Sequence, residues 1–261
     1  MSEVKLGIQL FTLRDSIQTA EDFDKTLDEL SKEDVSVIQI SAIGPIPQNE
    51  VKEIVEKYNM DVCVTHTNFE RMKKETQTVI DEHKMINCDC LGLGAMSDDY
   101  RKDLTSLRQF IKDAEAVGKM CFEQGMHFAY HNHDFEFKTV MEDGRTVMQV
   151  LLEETNPDYF WFIPDTAWIQ LGGEDPVEFL EKLRGRVKVC HFKDYVKADT
   201  ERGFKFTELG KGEVDIPACY RKLKEMGVPY AVYEHDIDWE VSAMQSCKDS
   251  YKYMLKVAEE N

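Results

Sequence analysis

Five of the seven histidines, His66, His131, His133, His191 and His235, stand at or just beyond the carboxyl ends of short β-like runs, and Glu136, Asp165 and Glu234 occupy the same kind of position. Imidazole nitrogen and carboxylate oxygen together make a donor set for a divalent cation such as Mn²⁺, Co²⁺, Mg²⁺ or Zn²⁺, and imidazole tilts the choice away from Mg²⁺ and Ca²⁺. The same groups serve as general acids and bases. A lone strand-end histidine is more often a hydrogen-bonded structural residue than a ligand. The weight therefore falls on Asp165 and His191, which follow or end consecutive strands.

Such residues act together only if the chain gathers the strand ends. Apolar runs at residues 4–10, 35–40, 60–65, 88–93, 126–130, 159–163, 187–192 and 230–233 read as strands. Helical patterns separate them, at 20–31, 50–58, 70–85, 104–124, 146–154, from 176 onward, and at 216–226 and 242–258. Gly125 stands where a helix-ending glycine is expected, and Asp175-Pro176 makes a good helix start, with Asp as N-cap and Pro at the first helical position. Eight strand-helix units in a chain of this length predict a parallel (β/α)8 TIM barrel, a single domain over residues 1–261. A doubly wound sheet would want a glycine-rich phosphate turn after its first strand, and Leu10-Phe11-Thr12-Leu13-Arg14 is not one. In a barrel of this kind the active site lies at the carboxyl ends of the strands, where the candidate residues fall. Residues 193–215 lack clear periodicity and follow the seventh strand, as an active-site loop would.

Composition narrows the partners. The 261 residues carry 32 Lys+Arg against 50 Asp+Glu, a net charge of −18, which disfavours nucleic acid and anionic membrane surfaces. No apolar run approaches a bilayer span, and the N-terminal MSEVKLGIQLF enters a strand pattern without a leader-like segment, so a cytoplasmic protein is expected. Seven cysteines, an odd number spread through apolar stretches, read as reduced core residues; the Cys88/Cys90 pair lacks a second pair for a zinc site.

With these residues in view, the chain resembles the xylose isomerase-like TIM-barrel superfamily, the sugar phosphate isomerase/epimerase-like proteins related to tagatose epimerase, inosose dehydratase and endonuclease IV. The matching segments are Gly7-Ile8-Gln9-Leu10-Phe11-Thr12-Leu13-Arg14-Asp15, Tyr130-His131-Asn132-His133-Asp134-Phe135-Glu136-Phe137, Pro164-Asp165-Thr166-Ala167-Trp168, Gly185-Arg186 leading to His191-Phe192-Lys193-Asp194, and Glu208-Leu209-Gly210-Lys211-Gly212. The resemblance implies one divalent metal ion (Mn, Co, Zn or Mg) held by Glu136, Asp165, His191 and Glu234. Relatives place the first metal glutamate at the very end of strand five, where Tyr130 stands here; Glu136 takes over from the loop or touches substrate, and His131 or His133 then completes the shell. Gln39 stands where many relatives carry a glutamate, which bears on substrate contacts.

The chemistry implied by such a site is proton transfer beside a carbonyl whose charge a Lewis acid stabilises, giving an isomerase or epimerase of a sugar or keto-sugar. Glu136, Glu234 and His133 are the acid/base candidates, and His66, His131, Trp168, Lys193 and Phe11 the expected substrate contacts. Only one of His131 and His133 is expected in the barrel mouth, with His133 preferred, and Trp168 and Phe11 are candidates for an apolar wall against the sugar ring. Gly210-Lys211-Gly212 reads as a plain turn before it reads as a phosphate cradle. Arg184, Arg186 and Lys188 read as a solvated edge at the far end of the barrel. Expulsion of a β-hydroxyl by the same base would make a lyase or dehydratase. A sugar-binding barrel without catalysis is the alternative of another class, and a DNA-repair endonuclease is opposed by the net charge. A homo-oligomer is an expectation from resemblance only.

Overall fold

The computed structural model describes residues 3–261, so Met1 and Ser2, which the single-domain and leader expectations include, lie outside the described residues. Among the described residues there are ten strands: β1 (Lys5–Gln9), β2 (Val37–Ile40), β3 (Asp61–His66), β4 (Cys90–Leu93), β5 (His127–His131), β6 (Trp161–Ile163), β7 (Val189–Phe192), β8 (Asp194–Lys197), β9 (Phe204–Thr207) and β10 (Tyr230–Tyr233). Eight of them form one parallel sheet in the order β6-β5-β4-β3-β2-β1-β10-β7. Parallel bridges Phe162↔Val187 and Asp165↔His191 join its two ends, so the sheet nearly closes into the predicted barrel.

The strands are almost wholly buried because both faces are covered, and their sequences (VIQI, VCHF, YAVY) are accordingly apolar except for the site residues Gln39 and His191. Val37, Cys63, Val64, Cys90, Ala129, Ile163, Val189 and Val232 pack together as one compact cluster, and a larger apolar layer lies between strands and helices. Gly7 permits close contact of β1 and β2: a Cβ there would lie 2.3 Å from the Val37 carbonyl oxygen. All seven cysteines are free and buried.

Helix ends follow local chemistry. Asp175 accepts hydrogen bonds from the Val177 and Glu178 amides ahead of Pro176, and Gly125 takes φ +73° just past the helix Leu104–Phe122. The helix expected over 70–85 is two helices, Phe69–Lys74 and Thr76–Met85. Glu75 leaves helical geometry between them (φ −131°, ψ 34°), and the Thr76 hydroxyl donates to the Met72 carbonyl. Arg186 is not a solvated edge: its guanidinium donates to the Phe160 carbonyl and the Thr155 hydroxyl, joining the chain just before β6 to that just before β7. Among the described residues no helix is long and apolar enough to cross a membrane.

The segment 193–215 is not featureless. β8 and β9 form an antiparallel hairpin, and the Asp194 carboxylate accepts four backbone amides, those of Tyr195 (2.9 Å), Val214 (3.1 Å), Gly210 (3.1 Å) and Gly212 (3.0 Å). The Gly210 and Gly212 amides that could have cradled a phosphate thus hold the chain's own carboxylate, and the Lys211 amide is taken by the Glu208 carbonyl. Gly212 has room for nothing else, since a Cβ there would lie 2.1 Å from Asp194 Oδ1.

Candidate functional site

Four donor side chains converge at the carboxyl ends of the strands. His131 ends β5, Asp165 follows β6, His191 lies in β7 and Glu234 follows β10; one ligand atom of each lies within 4.8 Å of the others, and all four residues are buried. Asp165 and His191 also form one of the two backbone bridges that join β6 to β7. Three of the four expected metal ligands are therefore together, and His131 stands with them in the place expected of Glu136.

Each side chain is oriented by a partner. His131 Nδ1 donates to the Gly94 carbonyl (3.0 Å), which leaves the Nε2 lone pair facing Asp165 Oδ2 at 3.5 Å and Glu234 Oε2 at 3.6 Å. Asp165 caps the helix Thr166–Leu171, its Oδ1 accepting the Trp168 amide (2.9 Å), so Oδ2 is left over. His191 Nε2 meets Gln39 Oε1 at 2.7 Å and Nδ1 lies 2.9 Å from Glu234 Oε2. The ionised Glu234 Oε2 can only accept, so Nδ1–H donates to it and the Gln39 amide holds the ring at Nε2. The neutral Gln39 thus orients a donor histidine, which substrate contact alone would not explain.

Glu136 is elsewhere. It lies in the short helix Phe135–Lys138, where Oε1 accepts from the Tyr130 hydroxyl and Oε2 from the His133 amide at 2.8 Å. It is not among the four converging donors, and burial pushes its carboxyl up to about 7. Glu136 therefore fixes the His133 backbone. Both His131 and His133 line the cavity, contrary to the expectation of only one. Residues two apart on an extended strand share a face, so the pair can stand on the same side.

The cavity measures about 490 Å³ and is lined by Phe11, Arg14, Ser41, His66, Gly94, Ala95, His131, His133, Lys193, Glu234, Asp236 and Ile237. His66, Lys193 and Phe11 are thus where substrate contacts were expected, whereas Trp168 is not among the lining residues. Its ring packs behind, at 5.4 Å from His133 and 5.1 Å from Phe206 of the hairpin. His235 turns away from the cavity, with Nδ1 bonded to the Tyr233 and Ser246 hydroxyls. Asp236 and Arg14 are additions that sequence reasoning missed; Asp236 was within reach, being two residues past Glu234 at the end of the last strand.

Electrostatics divide the cluster. Burial lowers His191, drives His66 well down and takes His133 to about 3, so these imidazoles are neutral. Burial opposes charge on His131 too, but Asp165 and Glu234 outweigh it and raise the group. Burial alone would raise Asp165 and Glu234; Lys193 outweighs it and, with the histidines, holds both below the usual carboxylate range. His131 Nε2 is buried without a hydrogen-bond partner, and buried Asp165 Oδ2 has none besides the Lys193 ammonium 3.2 Å away. Two converging lone-pair donors of that kind are what a divalent cation satisfies, so the residues fit one.

A family profile described as "Xylose isomerase-like TIM barrel" matches residues 15–254. Among curated proteins, the inosose dehydratase of Lacticaseibacillus casei is 30% identical over 156 residues, 54% of this chain and 49% of that protein. The inosose dehydratase of Geobacillus kaustophilus is 31% identical over 121 residues, 41% of this chain and 38% of that one. The matched regions span about half the length of the curated relatives, or less. Among solved structures, a sugar phosphate isomerase/epimerase from Parabacteroides distasonis superposes with a TM-score of 0.81 at 20% identity, covering 97% of this chain and 94% of that one. At that identity the likeness shows the fold alone.

Proposed function

Since the chain belongs to the xylose isomerase-like TIM barrel family, we propose that it is a divalent-metal-dependent isomerase or epimerase acting on a sugar or keto-sugar. The observation that carries this is the convergence of His131, Asp165, His191 and Glu234 within 4.8 Å beside a cavity of sugar size. In this reading those four residues hold the ion, with His131 in place of Glu136. When bound, it supplies a Lewis acid that makes the C–H beside a carbonyl more acidic.

The chain's own groups carry the proton. His133 is half-buried, lines the cavity and has no partner at Nδ1, which places it to take a proton from carbon; Glu234 offers a second acid/base group on the same cavity. Glu136 keeps His133 in place through the backbone amide. His66, Lys193 and Phe11 bear on the sugar. Return of the proton to the opposite face gives an epimer, and return to the neighbouring carbon gives an isomer. The native metal is one of Mn²⁺, Co²⁺, Zn²⁺ or Mg²⁺.

The curated relatives favour a second reading, in which the same base expels a β-hydroxyl as water from a keto-sugar or keto-inositol. One experiment separates them. Protein stripped with chelator and reloaded with Mn²⁺ is incubated in D₂O with keto-sugars and keto-inositols and followed by NMR. An isomerase or epimerase places solvent deuterium on a carbon beside the carbonyl of a product of unchanged composition, and a dehydratase yields an unsaturated carbonyl product lacking one water. Asp165→Ala and His191→Ala should abolish either turnover while the circular dichroism spectrum stays native. Sugar binding without turnover in the metal-loaded protein would make the chain a binding barrel.

A further inference from the structure

Lys193 is buried to within 1% and stands inside the donor cluster. Its ammonium lies 3.2 Å from Asp165 Oδ2 and 2.9 Å from Glu234 Oε2, the same two oxygens that His131 Nε2 faces. A third carboxylate, Asp236 Oδ2, accepts a hydrogen bond from it at 3.0 Å. An ammonium and a divalent ion cannot share two oxygens at such distances without strong repulsion, so the two cations compete for one place.

The geometry points to a specific resolution of that competition, and it rests on the reading of this site as a metal centre. We propose that Lys193 is the internal counter-cation of Asp165 and Glu234 when no divalent ion is bound, and that Asp236 is the seat onto which its ammonium withdraws when one enters.

The surroundings leave that route open. The Lys193 backbone is fixed, its amide donating to the Thr166 hydroxyl (3.0 Å) and its carbonyl accepting from it (2.8 Å), so the side chain moves and the strand end does not. The Trp168 and Phe206 rings lie 5.3 Å and 5.1 Å from the ammonium, and they stabilise it without competing for the carboxylates. Asp236 lines the cavity, is 22% exposed, and has its own carbonyl held by Arg14 (2.8 Å). It is not one of the four converging donors, so it can keep the lysine while they keep the metal.

Mn²⁺ binding by calorimetry, with thermal melting in chelator, tests this on wild type, Lys193→Met, Asp236→Asn and the double variant. Lys193→Met should bind Mn²⁺ about tenfold tighter or more, and should melt lower than wild type in chelator because two buried carboxylates lose their cation. Asp236→Asn should weaken Mn²⁺ binding several-fold while Lys193 is present, and by less than about twofold in the Lys193→Met background. Should Lys193→Met not fold without metal, Lys193→Gln repeats the cycle with a neutral donor in place.

Equal or weaker Mn²⁺ binding by both lysine variants overturns the counter-cation role while the metal centre stands. The same factor for Asp236→Asn in both backgrounds overturns the seat, because its charge then acts without the lysine. Mn²⁺ binding to neither wild type nor the lysine variants overturns the metal reading and this proposal with it. Binding to the lysine variants alone supports the competition.

Discussion

Glu136 is a buried carboxylate with both oxygens occupied, one by the Tyr130 hydroxyl and one by the His133 amide. Burial raises its carboxyl from 4.5 to about 7, so the folded chain holds that proton more tightly than the unfolded chain does. Its contribution to stability is therefore fully present below pH 4.5, falls as the pH rises through the window to about 7, and is lost above it. The difference corresponds to roughly 3 kcal/mol. Urea unfolding at pH 5 and pH 7.5 should show wild type losing up to that amount relative to Glu136→Gln, which has no proton to release; parallel profiles would refute the assignment. The same residue marks where sequence reading stopped. Residue type and strand-end position pointed to Asp165, His191 and Glu234, each carried by a strand or by the turn just past one. Glu136 and His131 could not be told apart, because the choice depends on the short helix after β5 that delivers the Glu136 carboxylate to Tyr130 and the His133 amide. Gln39 and Asp236 gain their roles from partners far along the chain, His191 and Lys193, which no spacing reveals.

The hairpin of β8 and β9 stands behind the cavity, against Trp168, and a single carboxylate ties it. Asp194 collects the amides of Tyr195, Gly210, Gly212 and Val214, so both ends of a loop of some twenty residues are bound to one side chain. Phe206 of that hairpin packs on Trp168, whose ring lies beside His133. Asp194→Ala should cost about 2–4 kcal/mol, the range for losing several hydrogen bonds to one buried charged group. Hydrogen exchange should rise across 194–214 before it rises in the barrel strands; uniform acceleration of the whole chain would show that the tie is not local. The eight barrel strands were legible because each is a continuous apolar run buried on both faces. The hairpin was not, since two four-residue strands rich in charge, DYVK and FKFT, give too short a period to see. Its closure rests on a contact between Asp194 and two glycines that sequence offered only as a turn.

At the scale of the whole molecule, the barrel's weakest join lies under the candidate metal residues. Seven neighbouring strand pairs share ladders, whereas β6 and β7 meet only through the bridges Phe162↔Val187 and Asp165↔His191. The second bridge joins the backbones of two residues whose side chains converge on one point with His131 and Glu234. A cation held by all four side chains would tie β5, β6, β7 and β10 together above that seam and brace the closure. A net charge of −18 draws divalent cations toward such a site. At a hundredfold excess over its dissociation constant, an ion that binds only the folded state adds about 2.7 kcal/mol. For a chain of this size that is a rise in Tm of roughly 5–10 °C. Scanning calorimetry with Mn²⁺ against chelator should show that rise in wild type and not in Asp165→Ala. Hydrogen exchange should show the added protection concentrated at 161–165 and 187–192, more than at β1 and β2, which carry none of the four donors. Protection spread evenly over all strands would mean that the ion stabilises the fold without closing its seam.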